Sequence, residues 1–112
     1  MGRLEVTYNL IQNAIRYNKP DGKVFVKVVK DDGGVTLSVK DTGIGIPKEH
    51  QDRVFERFYR VDKSRSKELG GTGLGLAIVK HICALTGGNI ILSSQEGQGT
   101  CISINWEEYR LL

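Results

Sequence analysis

The fold class this sequence predicts is an α+β two-layer sandwich, a mostly antiparallel sheet with helices on one face. Three observations predict it. The segments run helix, strand, strand, short helix, loop, helix, strand, strand, without the alternating βα units that build a parallel sheet. Each strand pair is joined by turn residues, Asp31-Asp-Gly-Gly34 in the first and a loop around Gly97 and Gly99 in the second. The two longer helical segments are each apolar along one side, as helices covering a sheet must be.

Residues from about Leu4 to Asn18 read as the first helix, with Leu4, Leu10, Ile11, Ala14 and Ile15 on one face at ~100° per residue. Asn9, Asn13 and Arg16 form a polar stripe nearly opposite. Lys19-Pro-Asp-Gly22 ends the helix, because the residue before proline is driven out of the α region and Asp-Gly favours a turn. Val24, Val26 and Val28 alternate along the first strand, and Val35, Leu37 and Val39 along the second. Asp41 shares the register of those last three, since side chains repeat every two positions. A short helix is expected near Pro47, preorganised for a first helical turn.

Residues from about Glu56 to Gly71 are charged and aperiodic and read as a long loop, of the length used for functional lids. Thr72 to Thr86 read as a helix with Leu74, Ile78, Ile82 and Leu85 on its apolar face, capped by Gly87-Gly88. Asn89–Ser94 and Thr100–Trp106 are the closing hairpin. At 112 residues the chain holds one domain, with no internal repeat and no linker.

Composition excludes several function classes. A net charge of +3 and 7% aromatic residues give no basic, aromatic-laced stripe for nucleic acid. No apolar run approaches the ~20 residues of a membrane span, and no signal-peptide pattern opens the chain. Cys83 and Cys101 lie far apart in apolar stretches and read as reduced core cysteines of a cytosolic domain. His50 and His81 have neither metal spacing nor an evident catalytic partner; both read as surface residues. The 14 glycines, however, exceed the ~7% norm and are clustered, which marks places where backbone turns sharply or approaches a ligand.

Two of those clusters matter for chemistry: Asp41-Thr-Gly43-Ile-Gly45 and Gly70-Gly-Thr-Gly73-Leu-Gly75-Leu76. Asp41 continues a core-facing register, and burying an ionised carboxylate costs several kcal/mol unless it is hydrogen-bonded. Either it opens an Asx-turn into a glycine loop, or it receives a ligand donor such as a purine amino group, with Gly43 and Gly45 letting backbone pass close beneath. The second cluster runs into a helix whose first-turn N–H groups have no intrahelical partner and favour an anion. It is not a Walker loop, because no Gly-Lys-Ser/Thr follows, and it makes a poor dinucleotide fingerprint, because a charged loop precedes it where a core strand is required. Glu96, about twenty residues further on, is therefore an accidental match to that fingerprint's acidic residue.

Asn9 and Asn13 are mediocre helix formers, and a neutral carbonyl oxygen is a reasonable Mg²⁺ ligand. Arg16 lies within reach of a phosphate, and Tyr17 at the stripe's edge could cover a base. Arg57, Arg60, Lys63, Arg65 and Lys67 make the loop basic. Phe55, Phe58 and Tyr59 are suited to dock it while Arg60 reaches an anion.

Together these segments resemble the catalytic, ATP-binding domain of bacterial two-component sensor histidine kinases, within the superfamily of gyrase, heat-shock chaperone, histidine kinase and mismatch-repair ATPases (GHKL, Bergerat-type fold). Asn9-Leu-Ile-Gln-Asn13-Ala-Ile-Arg16-Tyr17 resembles the N box and Asp41-Thr-Gly43-Ile-Gly45-Ile-Pro47 the G1 box. Phe55-Glu-Arg-Phe58-Tyr59-Arg60 resembles the F box and Gly71-Thr-Gly73-Leu-Gly75-Leu76 the G2 box. The resemblance implies ATP and Mg²⁺ as cofactors, with Asn13 on the metal and Asn9 and Arg16 beside the phosphates. It implies Asp41 on the adenine amino group, with Gly43, Gly45 and Ile46 in the adjoining loop and Tyr17 against the base. Arg60 and the backbone of Gly71, Thr72, Gly73, Leu74, Gly75 and Leu76 would meet the phosphates. Thr100 would support Asp41.

The implied activity is donation of the γ-phosphate to a histidine on a separate dimerisation and phospho-acceptor segment, serving a response regulator, with no nucleic acid or membrane contact by this cytoplasmic domain. The superfamily's hydrolases and anti-sigma kinases resemble one another in placing a glutamate four residues before the metal-binding asparagine; here Asn9 stands there and cannot accept a proton. A nucleotide-binding module without transfer, and a hydrolase or anti-sigma kinase, are the alternative readings. The resemblance also implies a strand before the first helix and a phospho-accepting histidine that this chain lacks. A fragment with an open or strand-borrowing sheet edge, unable to phosphorylate itself, is expected.

Overall fold

The structure is a computed structural model and describes residues 2–61 and 73–107. Its elements are α1 (Gly2–Arg16), β1 (Val24–Asp31), β2 (Gly34–Asp41), a single 3-10 turn (Lys48–His50), α2 (Gly75–Thr86), β3 (Gly88–Gln95) and β4 (Gly99–Glu107). The four strands form one antiparallel sheet in the order β1-β2-β4-β3. Both helices lie against one face. The expected α+β sandwich is what forms.

The register brings the inner strands together through Leu37 opposite Ile104 and Val39 opposite Ile102. These four residues meet Val6, Leu10 and Ala14 of α1 and Val79, Ile82 and Cys83 of α2 in one buried cluster, closed at one end by Trp106. The Trp106 indole N–H donates to Thr86 Oγ1 at 2.8 Å, and the Arg3 guanidinium lies 5.1 Å from the ring centroid. Gly87 ends α2 in the left-handed conformation that a β-carbon resists, donating its N–H to Cys83 O.

Both helix faces are turned from the predicted ones. In α1, Val6, Leu10 and Ala14 are buried at a strict four-residue spacing, whereas Leu4 and Ile15 are 79% and 58% exposed. The helix carries a second apolar stripe, and the sheet takes the one that includes Val6. In α2 the buried set is Val79, Ile82 and Cys83, with Ile78 and Leu85 exposed. The helix begins at Gly75 instead of Thr72, which lies outside the described residues. The first helix likewise stops at Arg16, and Asn18 forms a turn cap: its amide donates to Lys23 O, while its Oδ1 accepts from the Lys19 N–H.

Edge strand β1 departs most from expectation. Val26 and Val28 pair with Val39 and Leu37 and share their helix-side face, yet no helix among the described residues spreads over them and Val28 is 64% exposed. Pro47 precedes only the 3-10 turn, and residues 51–58 continue as turns and a bend before 59–61 run on without regular structure, so the irregular stretch begins before Glu56. Its remainder from 62 to 72 lies outside the described residues.

Candidate functional site

Asp41 ends β2 on the helix side of the sheet and is 6% exposed. Two backbone donors converge on one of its oxygens, Oδ1: the Gly43 N–H at 2.8 Å and the Thr100 N–H at 3.2 Å. The first bond is the Asx-turn, so that reading of Asp41 is correct as far as it goes. Among the described residues none donates to Oδ2, and the carboxyl lines a cavity of about 290 Å³. Burial raises the Asp41 pKa above the ordinary carboxylate range, opposed by the two backbone hydrogen bonds. An acceptor so placed suits a ligand N–H.

The loop after Asp41 is stitched to the β3–β4 hairpin. Tyr17 O accepts from the Ile44 N–H, Ile44 O from the Gly97 N–H, and Ser94 Oγ from the Ile46 N–H at 2.8 Å. Gly45 is required here. Its φ is +73°, and a β-carbon would sit 2.2 Å from Gln95 O. Ser94 Oγ also lies 3.0 Å from Gly99 O and 2.8 Å from Thr100 Oγ1. A hydroxyl has one proton and two lone pairs, so a consistent assignment has Ser94 donating to Gly99 O and accepting from Ile46 and Thr100.

This base-side cavity joins a second of about 180 Å³ along α1. Asn13, Tyr17, Val54, Tyr59 and Leu76 line both, making one two-lobed cleft. The first lobe adds Asp41, Gly45, Ile46, Arg60 and Thr100 from the predicted residues. The second adds Asn9, Arg16, Gly73 and Gly75. It opens at the start of α2, whose N-cap residue Leu74 has no side chain able to cap it. Asn9 is oriented by donating its amide to Glu5 O at 2.8 Å, and its Oδ1 faces Gly75. Gly43 and Leu74 stand behind the wall and do not line it, while Gly71 and Thr72 lie outside the described residues, as do Lys63, Arg65 and Lys67.

Several lining residues were not predicted: Ile44, Pro47, Val54 and Val61 in the first lobe, and Tyr8, Gln12 and Ile78 in the second. Glu96, set aside in the sequence as accidental, also borders the first lobe, delivered there by the β3–β4 turn and not by any dinucleotide motif. Of the aromatics expected to dock the loop, Phe55 packs on the core and Tyr59 lines the cleft, but Phe58 is exposed at φ +63° beneath the Arg57 guanidinium. Tyr59 is held by a hydrogen bond between its hydroxyl and His50 Nδ1 and by Arg53, whose guanidinium lies 4.7 Å from the ring centroid and also pairs with Glu56. His50 is thus half-buried and partnered, whereas His81 is exposed on α2 as expected.

Residues 3–110 match the family model described as histidine kinase-, DNA gyrase B- and HSP90-like ATPase. The chain is 50% identical over 101 residues to the sensor-like histidine kinase SenX3 of Mycolicibacterium smegmatis, covering 90% of this chain and 26% of that protein. It is 48% identical over 101 residues to the sensor histidine kinase WalK of Bacillus subtilis, covering 88% and 16%. The chain therefore spans about a quarter or less of the length of these relatives. Among solved structures, the mycobacterial sensor histidine kinase MprB superposes with a TM-score of 0.79 at 32% identity, covering 95% of this chain and 72% of that one. Full-length ShkA in complex with AMPPNP gives 0.78 at 32%, covering 99% and 23%.

Proposed function

Because the chain belongs to the family of histidine kinase-, DNA gyrase B- and HSP90-like ATPases, as the ATP-binding catalytic domain of a sensor histidine kinase, we propose that its two-lobed cleft holds ATP–Mg²⁺ and presents the γ-phosphate to a histidine on a separate segment. The observation that carries this reading is Asp41, with Oδ1 fixed by two backbone donors and the carboxyl facing the cavity. An adenine amino group donates to the open oxygen, Tyr17 lies beside the base, and the triphosphate runs along Asn13 and Arg16 towards the start of α2. Arg60 serves the same phosphates from the loop side.

Asn13 fits a Mg²⁺ site, because it brings a neutral carbonyl oxygen to the junction of the lobes. No group of three or more His, Cys, Asp or Glu among the described residues forms a cage. Mg²⁺ commonly takes one or two protein ligands and completes its shell with water and nucleotide phosphates. The ion would offset charge on the phosphoryl oxygens.

In the transfer itself an imidazole nitrogen of the acceptor attacks the γ-phosphorus, an N–P bond forms, and the bond to the β-γ bridging oxygen breaks to release ADP. The domain supplies position and charge stabilisation. Asn9 favours transfer over hydrolysis, since an amide already committed to Glu5 O has no basic site with which to activate water.

The domain, residues 1–112, is read as one part of a longer kinase, with the family's additional strand completing the sheet at the free edge of β1. Exposed Val26 and Val28 support that completion. No helix among the described residues is long and apolar enough to cross a membrane. Separately, we propose a cytoplasmic location for the domain, where ATP and a response regulator are available.

The test is twofold. Calorimetric titration with ATP, ADP and GTP, with and without Mg²⁺, should show adenine preference and metal dependence. Labelled ATP plus a helical histidine segment added in trans should label that histidine. Nucleotide binding with release of free phosphate and no labelled histidine would overturn the transfer.

A further inference from the structure

Gln51, the first residue after the 3-10 turn, is absent from every motif in the sequence and does not line the cleft, yet its side chain donates to carbonyls of both the Asp41 loop and β3. Its carboxamide nitrogen lies 2.9 Å from Ile46 O and 3.1 Å from Ser94 O. Both are half-buried carbonyls, and Ile46 belongs to a loop with no strand neighbour to receive its oxygen. The two protons of one amide match two acceptors on two segments.

We propose that Gln51 is a positioning residue for base recognition. It holds the Ile46–Pro47 wall against β3 and so sets the width of the lobe into which Asp41 faces. Its bridge continues a connected series. The Ile46 N–H donates to Ser94 Oγ, that hydroxyl meets Thr100 Oγ1, and the Thr100 N–H donates to Asp41 Oδ1. Ile46 is thus held at both its backbone groups, one by Ser94 and one by Gln51. Loss of the amide leaves two carbonyls without that donor and lets the wall shift relative to the carboxylate. Methionine has nearly the same length and flexibility but no donor; glutamate would set a carboxylate against two carbonyl oxygens.

This inference deepens the nucleotide reading and rests on it. The experiment measures ADP and ATP affinities of the wild type, Gln51→Met and Gln51→Glu well below their melting temperatures, with apo melting followed in parallel. The expected result is a weakening of about five- to tenfold for both nucleotides in both variants, with the ATP-to-ADP ratio unchanged, since the phosphate lobe is untouched. A lowered melting temperature with wild-type affinities would make Gln51 merely structural and overturn the proposal, as would weakening of ATP alone. A variant that does not fold is replaced by hydrogen exchange on the wild type: the Ile46 and Gly97 amides should gain protection when ADP binds, and unchanged exchange there overturns the proposal. If the wild type itself binds neither nucleotide, the nucleotide reading falls with it, which separates the two failures.

Discussion

The backbone N–H of Thr100 reaches Asp41 Oδ1 at 3.2 Å, joining the start of β4 to the end of β2 across 59 positions of sequence. Strand pairing brings the two together, so the recognition carboxylate is oriented by the sheet itself and not by a mobile side chain. Its partly desolvated state is the cost of that placement, and it leads to a linked pair of effects on stability and binding.

Asp41→Asn should weaken ATP and ADP alike, by about 10- to 100-fold, on the scale of ~1.5–3 kcal/mol for a hydrogen bond to a charged group. Apo stability should move the other way. A carboxyl whose pKa is raised by folding contributes stability below its unfolded pKa and loses it as pH rises through the folded value. The asparagine variant lacks that loss. Its melting temperature relative to wild type should therefore increase from acid to neutral pH, as paired thermal melts will record; a difference that shrinks with pH contradicts the burial argument.

Asn13→Asp tests the metal. Calorimetry should show a changed Mg²⁺ dependence for ATP with adenosine binding close to wild type. Identical affinities with and without Mg²⁺ in both proteins would remove Asn13 from the metal.

Gly45→Ala forces an L side chain into left-handed backbone, costing about 1–2 kcal/mol, and drives its β-carbon onto Gln95 O. Lowered melting temperature and weakened ADP binding should appear together. Wild-type values for both would mean the loop does not hold this course.

The rotated face of α1 is testable with two truncations. Leu10→Ala should cost about 2–5 kcal/mol as a buried leucine, whereas Leu4→Ala should stay within about 0.5 kcal/mol. Urea unfolding followed by the fluorescence of the single tryptophan, Trp106, gives both numbers.

The two thiols should also differ. Burial raises the Cys83 pKa, while Cys101 is only half-buried on β4. Alkylation near neutral pH, read by peptide mass spectrometry, should modify Cys101 first.

Much of this was legible in the sequence because its signals are local. Alternation by twos placed Asp41 among Leu37 and Val39, and turn residues placed the hairpins. The helix faces were misread because α1 has apolar residues on more than half its circumference, and only docking on the sheet chooses Val6 over Leu4 and Ile15. For the site, glycine clusters and paired asparagines were visible as patterns. Gln51 and Ser94 were not, because a glutamine and a serine acquire their role only from carbonyls and amides that tertiary structure brings within 3.1 Å. Glu96 completes no motif in the sequence, and the hairpin turn brings it to the cleft nonetheless.

The order β1-β2-β4-β3 puts the carboxylate and one of its two backbone donors, Thr100, on the interior pair of strands. Drift in sequence or length along β1 is thereby decoupled from the ligand floor, whereas β3 is tied to it through Ser94. New chain ends or a grafted insert at the exposed bend of residues 32–33 should leave the cleft's chemistry intact, whereas a shift of one residue between β2 and β4 would dismantle it.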